Sequence, residues 1–305
     1  MLRLILHFTL LLGVSNFSLR AQAPTLYVLG TVQDAGAPQL GCNKSCCNDL
    51  TESEKAQRSV SSLGLCLANS DRAYLFDASP DLPRQWHLLQ QKGVNKLAGV
   101  FLTHAHMGHY AGLLHLGREA WNTNNIPVYA MPRMQQFIRS NAPWEQLISL
   151  KNIQIQPLTE QNEVVLPQGI RVTPILVPHR DEYSETIAYW IQGPNKSALY
   201  LPDIDKWDRW DVPIENWIKK VDYAFLDATF FDGNELPNRV MSEIPHPFVV
   251  ESMSRFKKLS KSAKEKIYFI HLNHTNPLLK QNSPAYQNVL KAGFSVAQKG
   301  QEFDL

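Results

Sequence analysis

The sequence predicts an α/β protein of one domain, in which two mixed β-sheets are flanked by helices. On both sides of the middle of the chain, short apolar runs typical of buried strands alternate with segments of helical periodicity. Residues 151–178 and 186–202 instead alternate apolar and polar side chains between turns, as antiparallel strands do. No internal repeat or linker divides the 305 residues, which are enough for one large domain.

Each predicted element follows from its local pattern. Apolar runs rich in Leu, Val, Ile, Tyr and Phe predict strands at residues 25–29, 62–68, 73–78, 97–102, 127–130 and 268–270. Helical patterns predict helices at residues 83–91, 113–122, 133–140, 214–220, 245–260 and 283–291. Asp81 stands where it can cap the first of these helices.

The charge balance argues against a polyanionic partner. Lysine and arginine number 30, and aspartate and glutamate number 28, so the net charge is +2. This balance offers no global attraction for nucleic acid or for an anionic membrane. We therefore expect a small-molecule substrate and no nucleic-acid partner, and a homodimer is left open.

The first 21 residues have the pattern of a secretory signal peptide. Arg3 precedes an apolar stretch at residues 4–14, and Ala21-Gln22-Ala23 offers a small-residue cleavage site. No later stretch reaches the roughly 18 apolar residues that a membrane helix needs. We expect residues 1–21 to be removed, which leaves 22–305 as one periplasmic or secreted domain without a membrane anchor. The alternatives are an uncleaved anchor and a start codon assigned too far upstream.

The strand at 97–102 leads into three histidines within six residues, His104, His106 and His109. Imidazole is the commonest neutral metal ligand. Side chains alternate along an extended chain, so His104 and His106 point the same way, and His109 follows as the chain turns. The three rings can converge at one strand end, where open α/β folds bind ligands. The pattern predicts a metal site, and the alternative is a set of surface histidines in a loop.

Three later residues share one context, a polar ligand directly after an apolar strand. They are His179, Asp203 and His271. A single histidine at a strand end is structural more often than not, so the prediction depends on all three together. Imidazole and carboxylate groups are usual ligands of catalytic zinc and of two-metal sites.

The histidine block and the later His, Asp and His resemble the successive motifs of the metallo-β-lactamase superfamily, over roughly residues 25–300. The resemblance implies an αββα sandwich with metal ions at its edge, and a metal-dependent hydrolase. It also implies the ligands of each ion: His104, His106 and His179 for the first, His109 and His271 for the second, and Asp203 as the bridge between them.

The family signature is His-x-His-x-Asp-His, and its acid falls at Gly108 in this chain. Glycine has no ligand atom, so the second ion is expected to bind weakly or to be absent. A water molecule or a neighbouring acid such as Asp205 or Asp227 could replace the lost oxygen. The alternatives are a solvated turn residue for Asp205 and a hydrogen-bonded structural acid for Asp227. Restoring the acid by Gly108→Asp is predicted to raise the bound metal toward one more ion per chain.

Three of the four cysteines, Cys42, Cys46 and Cys47, lie in a loop rich in Gly, Ala and Pro. In an exported protein they predict either a disulfide with one free thiol or a structural Zn²⁺ site. This loop and the run 271–277 resemble the superfamily branch that contains pyrroloquinoline quinone biosynthesis protein B and the cyclic phosphodiesterase of phosphonate degradation. The branch resemblance adds His274 to the cysteines as a fourth ligand of a structural zinc.

The hydrolase interpretation takes Zn²⁺ as the first choice of metal because the ligands are mostly imidazole, with Mn²⁺ or Fe as alternatives. A bound ion makes hydroxide available for attack on a small phosphodiester or acyl substrate. The catalytic candidates are Asp203, His246 as proton donor and Asp227, and the substrate-binding candidates are Arg180, Glu182 and Glu185. The alternatives are a structural histidine for His246 and a solvated polar loop for Arg180, Glu182 and Glu185. The rival class is a non-catalytic or redox metalloprotein that binds a quinone-like small molecule.

Overall fold

The fold is given by a computed structural model that describes residues 23–180, 182–236, 239–240 and 243–305. The predicted signal peptide at residues 1–21 lies outside these residues and stays a prediction. The strands in the described residues are β1 (Thr25–Gly30), β2 (Ser62–Cys66), β3 (Arg72–Phe76), β4 (Lys96–Phe101), β5 (Ile126–Ala130), β6 (Ile153–Pro157), β7 (Val164–Val165), β8 (Arg171–Leu176), β9 (Ile187–Gln192), β10 (Ser197–Leu201), β11 (Tyr223–Asp227), β12 (Ile267–Ile270), β13 (Ser295–Val296) and β14 (Glu302–Asp304).

Most of the helices are short and lie between the strands. They are α1 (Ser45–Asn48), α2 (Glu52–Gln57), α3 (Leu82–Gln90), α4 (Met107–Tyr110), α5 (Pro132–Ser140), α6 (Trp144–Ser149), α7 (Ile214–Lys220), α8 (Val249–Arg255), α9 (Lys261–Lys264) and α10 (Pro284–Lys291). Within the described residues, no helix combines the length and the apolar character needed to cross a bilayer.

In the part of the chain that the structure describes, each of the two sheets has seven strands and joins an antiparallel half to a parallel half. The first sheet has the order β14-β1-β2-β3-β4-β5-β6, and the second has the order β13-β12-β11-β10-β9-β8-β7. The pairs from β14 to β3 are antiparallel and those from β3 to β6 are parallel. In the second sheet the pairs from β13 to β10 are parallel and those from β10 to β7 are antiparallel. Both sheets are therefore mixed, as predicted.

The two sheets face each other across an apolar core and carry helices on their outer faces. Phe76 and Phe101 of the first sheet pack on Tyr189 of the second, with ring centroids 5.4 and 5.6 Å apart. Burial of one such side chain contributes about 1.5–3 kcal/mol. Helices α3 and α5 cover the first sheet, and helices α7, α8 and α10 cover the second. These four layers confirm the predicted αββα sandwich.

The predicted helix at 113–122 is wrong, because the chain forms only a 3₁₀ helix at Ala111–Leu116. Gly112 lies so close to Ser79 that a Cβ atom on it would come within 2.0 Å of the carbonyl oxygen of Ser79. This contact holds the segment against the loop after β3. The apolar pattern that predicted a helix instead supplies side chains to the core beneath α3.

The strands that precede the predicted ligands end at one edge of the sandwich. Strand β4 ends before the histidine block, and strands β8, β10 and β12 end before the three later ligands. The loop after β1 crosses between the sheets at this edge, since Val32 bridges both Val60 and Leu272. Both sheets therefore deliver side chains to the same region.

Candidate metal centre

The first group of predicted ligands comes together at this edge. His104, His106, His179 and Asp203 each offer a ligand atom, and these atoms lie within 4.8 Å of one another. The first two follow β4, whereas His179 and Asp203 follow β8 and β10 of the other sheet. The side chain of His106 is 15 % exposed, and the other three are almost completely buried. The group is therefore open to solvent on the side of His106.

A second group lies beside the first. It contains His109 and His271 together with Asp34 on the loop after β1, again with ligand atoms within 4.8 Å. The Nε2 atoms of His109 and His271 lie 3.1 and 3.2 Å from Oδ2 of Asp203. The other oxygen, Oδ1 of Asp203, lies 3.6 Å from Nε2 of His179. Asp203 therefore turns one oxygen toward each group, which is the position of a bridging ligand.

The rings of His109 and His271 each have a polar partner at Nδ1, the nitrogen opposite to Nε2. Nδ1 of His109 lies 2.7 Å from Oδ2 of Asp77, and Nδ1 of His271 lies 2.9 Å from the hydroxyl of Thr229. A partner on Nδ1 fixes the ring so that Nε2 faces a metal. Asp77 and His271 both have left-handed backbone, with φ of 67° and 66°, a conformation that costs about 1–3 kcal/mol and concentrates at functional sites.

A second Asp–His pair lies next to the first group. Nδ1 of His246 is 2.7 Å from Oδ2 of Asp227, and Oδ1 of Asp227 accepts hydrogen bonds from the N–H and hydroxyl of Thr229. The ring centroids of His246 and His179 are 5.1 Å apart. Burial opposes a charged His246, but the carboxylates of Asp227 and Asp203 raise the pKa of the ring. The pair therefore places a proton-carrying imidazole beside the candidate ligands.

Burial and neighbouring charges set the protonation of the ligand rings. Burial lowers the pKa of His104 well below its ordinary value and the pKa of His179 to about 4. Both rings are therefore neutral, which is the form that binds metals. Burial also works against a charged His109, but the surrounding carboxylates, Asp77 foremost, raise its pKa well above the ordinary value. Positive charge is therefore favoured in the second group.

Six buried ligand atoms of the two groups have no hydrogen-bond partner within the described residues. They are Oδ1 of Asp34, Oδ2 of Asp203, Nε2 of His109, Nε2 of His271 and both ring nitrogens of His179. An unpartnered buried polar atom costs about 1–3 kcal/mol, so such a concentration requires compensation. Divalent ions satisfy carboxylate and imidazole atoms of this kind, and the residues present therefore fit a two-metal centre.

The sequence matches the family model of the beta-lactamase superfamily domain over residues 72–272. The chain belongs to the beta-lactamase superfamily. Coenzyme PQQ synthesis protein B of Nitrosococcus oceani is 26% identical to it, over 92% of this chain and 99% of that protein. The resemblance to the PQQ synthesis protein B branch is thereby confirmed.

Two solved structures share this superfamily fold. The Zn²⁺-bound PqqB of Methylobacterium extorquens has a TM-score of 0.77 at 21% identity, covering 92% of this chain and 100% of that one. A diphosphatase from the PhnP family has a TM-score of 0.67 at 21% identity, covering 93% of this chain and 98% of that one. The sandwich of two mixed sheets is therefore the fold of this branch.

The superfamily signature has an acid where this chain has Gly108, and the acid found beside that position is Asp34. A Cβ atom on Gly108 would come within 2.3 Å of Oδ1 and 2.6 Å of Cα of Asp34. Asp205 instead forms an ion pair with an arginine on the following 3₁₀ turn, at 2.6 Å. Asp227 is engaged by His246. Asp205 and Asp227 thus have other partners, whereas Asp34 is the acid that lies against Gly108.

The three residues predicted to contact substrate have different surroundings. Arg180 is exposed, and Oε2 of Glu182 lies 3.4 Å from Nε2 of His106 at the open side of the first group. The carboxylate of Glu185 accepts hydrogen bonds from backbone N–H groups in the first turn of α5, at 3.0 to 3.4 Å. Glu185 therefore caps a helix, and its role in substrate binding stays a prediction.

A third group contains the cysteine-rich loop. Cys42, Cys46, Cys47 and His274 place their ligand atoms within 4.8 Å of one another, and the three thiols are free. Burial lowers the pKa of His274, so its ring is neutral. Thiolate and imidazole ligands in this number are those of structural zinc sites.

Two carboxylates of the centre, Asp34 and Asp77, were not predicted as site residues. Asp77 directly follows an apolar strand, which is the context that identified Asp203, so the same signal could have found it. Asp34 lies in a loop whose Gly, Ala and Pro residues predict only turns. Its position beside His109 depends on the path of this loop between the two sheets, which no local pattern encodes.

Proposed function

We propose that the chain is a metal-dependent hydrolase of small phosphodiester or acyl substrates. The proposal is carried by the two groups of ligands that share Asp203 and leave six buried ligand atoms without another partner. Zn²⁺ is the proposed metal because the ligands are mostly imidazole, and because the similar PqqB of Methylobacterium extorquens has been solved with Zn²⁺ bound.

A bound divalent ion supplies hydroxide near neutral pH, since it lowers the pKa of a water molecule to about 7, and it polarises a carbonyl or phosphoryl oxygen. The residues of the chain orient this chemistry. Asp203 turns an oxygen toward each ligand group and can accept a hydrogen bond from the attacking water. Arg180 and Glu182 stand at the open side beside His106, where the guanidinium of Arg180 suits an anionic substrate group.

His246 is the proposed proton donor to the leaving group. Its Nδ1–H donates to Asp227, which stabilises the charged ring and fixes its direction. Asp227 is in turn held by the N–H and hydroxyl of Thr229. This chain of contacts holds the ring in place and leaves Nε2 of His246 as the proposed donor atom.

We also propose a structural Zn²⁺ at the third group, in place of the alternative disulfide. Support comes from the imidazole of His274, whose ligand atom lies within 4.8 Å of the three thiols and would take no part in a disulfide. The cysteine loop continues directly from the segment that carries Asp34, so an ion there would stabilise the approach of that segment to the centre.

Turnover of two kinds of phosphodiester tests the hydrolase proposal. His246→Gln is expected to lower kcat by about 100-fold for a diester with an alkoxide leaving group, and much less for bis(p-nitrophenyl) phosphate, because p-nitrophenolate leaves without a proton. Elemental analysis of the variant controls for loss of metal. Absence of turnover of phosphodiesters, lactones and lactams with Zn²⁺, Mn²⁺ and Fe²⁺ would reject the hydrolase.

One observation favours a second function, the similarity to proteins named coenzyme PQQ synthesis protein B. Under this alternative the chain is a non-catalytic or redox metalloprotein that binds a quinone-like molecule. A quinone that changes the visible spectrum of the Co²⁺-substituted protein, in the absence of any hydrolysis, would support this function over the first.

A further inference from the structure

Asp34 reaches the second group from a segment outside the superfamily signature. Its side chain is 14 % exposed, and Oδ1 lies 3.0 Å from Nε2 of His109 and 3.5 Å from Nε2 of His271. Neither contact has the geometry of a hydrogen bond, so these three atoms have no hydrogen-bond partner in the described part of the chain. The atoms therefore face a common space rather than each other.

Asp203 is the fourth residue that borders this space, after Asp34, His109 and His271. The distances from the two imidazole nitrogens of His109 and His271 to the nearest oxygens of Asp34 and Asp203 are 3.0, 3.1, 3.2 and 3.5 Å. Ligand atoms bound about 2.0–2.1 Å from a tetrahedral Zn²⁺ are about 3.3 Å apart. These four nitrogen-to-oxygen distances therefore lie close to the spacing of ligand atoms around a single ion.

The absence of a side chain at Gly108 explains why an acid from another part of the chain can occupy this place. A side chain at position 108 would overlap both the carboxylate and the Cα atom of Asp34, so only glycine lets the loop after β1 approach. We propose that Asp34 is a ligand of the second ion and replaces the acid that the superfamily signature places at Gly108. This inference rests on the proposed metal centre and assigns it a ligand set of its own.

The backbone holds Asp34 at a fixed distance from His271. The N–H of Gln33 donates to the carbonyl of Leu272 at 2.9 Å, and the N–H of Leu272 donates to the carbonyl of Thr31 at 2.7 Å. These residues come just before Asp34 and directly after His271. The two ligands are therefore positioned together before any ion binds, as a functional site requires.

The inference reverses the expected effect of restoring the signature. Because Asp34 already completes the second group, the second ion is not weakened by Gly108. Gly108→Asp is expected to displace Asp34 and to lower the bound metal, whereas the resemblance alone predicts that it raises the bound metal.

Titration of the metal-free chain with Co²⁺ tests the inference. The variants are Asp34→Asn, which keeps the size of the side chain, Asp34→Ala and Gly108→Asp. The matched control is Asp208→Asn, since Asp208 is 97 % exposed. Visible absorption reports on binding, elemental analysis counts the ions, and the thiolate site is counted separately from its sulfur-to-cobalt absorption.

We expect the wild type and the control to bind two Co²⁺ ions at the histidines. The three variants are expected to keep the first ion and to bind the second at least about 100-fold more weakly, because loss of an outer partner alone costs 10- to 100-fold. Circular dichroism checks folding, and Asp34→Asn decides the outcome if Asp34→Ala does not fold.

The inference would be overturned if Asp34→Asn bound the second Co²⁺ as tightly as the wild type does. It would also be overturned if Gly108→Asp bound more metal per chain than the wild type. If the wild type binds only one Co²⁺ at the histidines, the inference fails while a one-metal hydrolase still stands. If the wild type binds no Co²⁺ there, the proposed function fails together with the inference.

Discussion

At the residue scale, buried carboxylates orient the histidines of the candidate centre. Asp77 contacts His109 and Asp227 contacts His246, each with 2.7 Å between a carboxylate oxygen and Nδ1. In both pairs the second oxygen accepts hydrogen bonds from the N–H and the hydroxyl of one threonine. The same arrangement thus occurs at a strand end of each sheet, and in each case it fixes the orientation of one ring.

Asp77→Asn tests the importance of this support. Asparagine tolerates the left-handed backbone of position 77, so the change removes the charge behind His109 without altering the turn. We expect the affinity for the second ion to fall about 10- to 100-fold, as for other outer partners of metal ligands. Competition with a chromogenic chelator measures this affinity.

The control for that experiment is Asp71→Asn, which removes a carboxylate paired with Lys96 on the surface. Unchanged metal affinity in Asp77→Asn would mean that Thr103, whose hydroxyl lies 3.3 Å from Nδ1 of His109, is sufficient to hold the ring.

Many of the residues at the centre could be predicted because their signals are local. The histidine block lies within one short motif, and His179, Asp203 and His271 each directly follow an apolar strand. Asp34 could not be predicted in this way, since its contact with His109 is made by the tertiary path of a loop. In the sequence, Gly108 shows only that the acid of the signature is missing, and it does not show that Asp34 takes that place.

At the element scale, the position of most strands and helices follows from apolar patterns. Helix α7 at Ile214–Lys220 has the bounds predicted for it. The predicted helix at 245–260 is shorter, since α8 covers only Val249–Arg255 before a 3₁₀ turn. Pro245 and Pro247 have no N–H to donate, so the regular helix begins after them.

Strand order could not be predicted from local patterns. Strand β14 pairs with β1 from the opposite end of the chain, and the register of such a pair depends on contacts distant in sequence. The sequence therefore predicts that the sheets are mixed, because it contains both meanders and strand–helix units, but it does not predict which strands are neighbours.

Helix α5 depends on a cap from another segment of the chain. Its own N-cap residue, Met131, makes no side-chain hydrogen bond, and the carboxylate of Glu185 takes this role. We expect Glu185→Ala to lower the free energy of unfolding by about 1 kcal/mol, the usual effect of losing a cap, with no change in metal content. Urea denaturation and elemental analysis measure the two quantities.

The exposed Glu160 offers a control for Glu185→Ala. Glu160→Ala is expected to leave the urea midpoint unchanged. A Glu185→Ala protein that keeps its stability but loses affinity for substrate would contradict the capping role and support the predicted substrate role of this residue.

At the scale of the whole molecule, the metal centre joins the two sheets. Loops of the first sheet contribute Asp34, His104, His106 and His109, and loops of the second contribute His179, Asp203 and His271. An ion held by both sets stabilises the folded state in proportion to the logarithm of its affinity. Without ions, the unpartnered buried atoms oppose the packing of the sheets at this edge.

Chelation is therefore expected to destabilise the entire sandwich. We predict that EDTA lowers the Tm by on the order of 10 °C, given the stabilisation that tight ligands provide to a chain of this size. Differential scanning calorimetry measures the change, and added Zn²⁺ should reverse it. EDTA saturated with Zn²⁺ is the control, and an equal Tm with free and saturated EDTA would mean that no ion links the sheets.

The central claim is that separate segments of both sheets surround metal ions that share Asp203. Anomalous diffraction from crystals grown with Zn²⁺, recorded above and below the zinc absorption edge, tests it most directly. We expect one peak among Asp34, His109, His271 and Asp203 and another among His104, His106, His179 and Asp203. Anomalous maps that show no peak at both positions would contradict the claim that metal ions share Asp203.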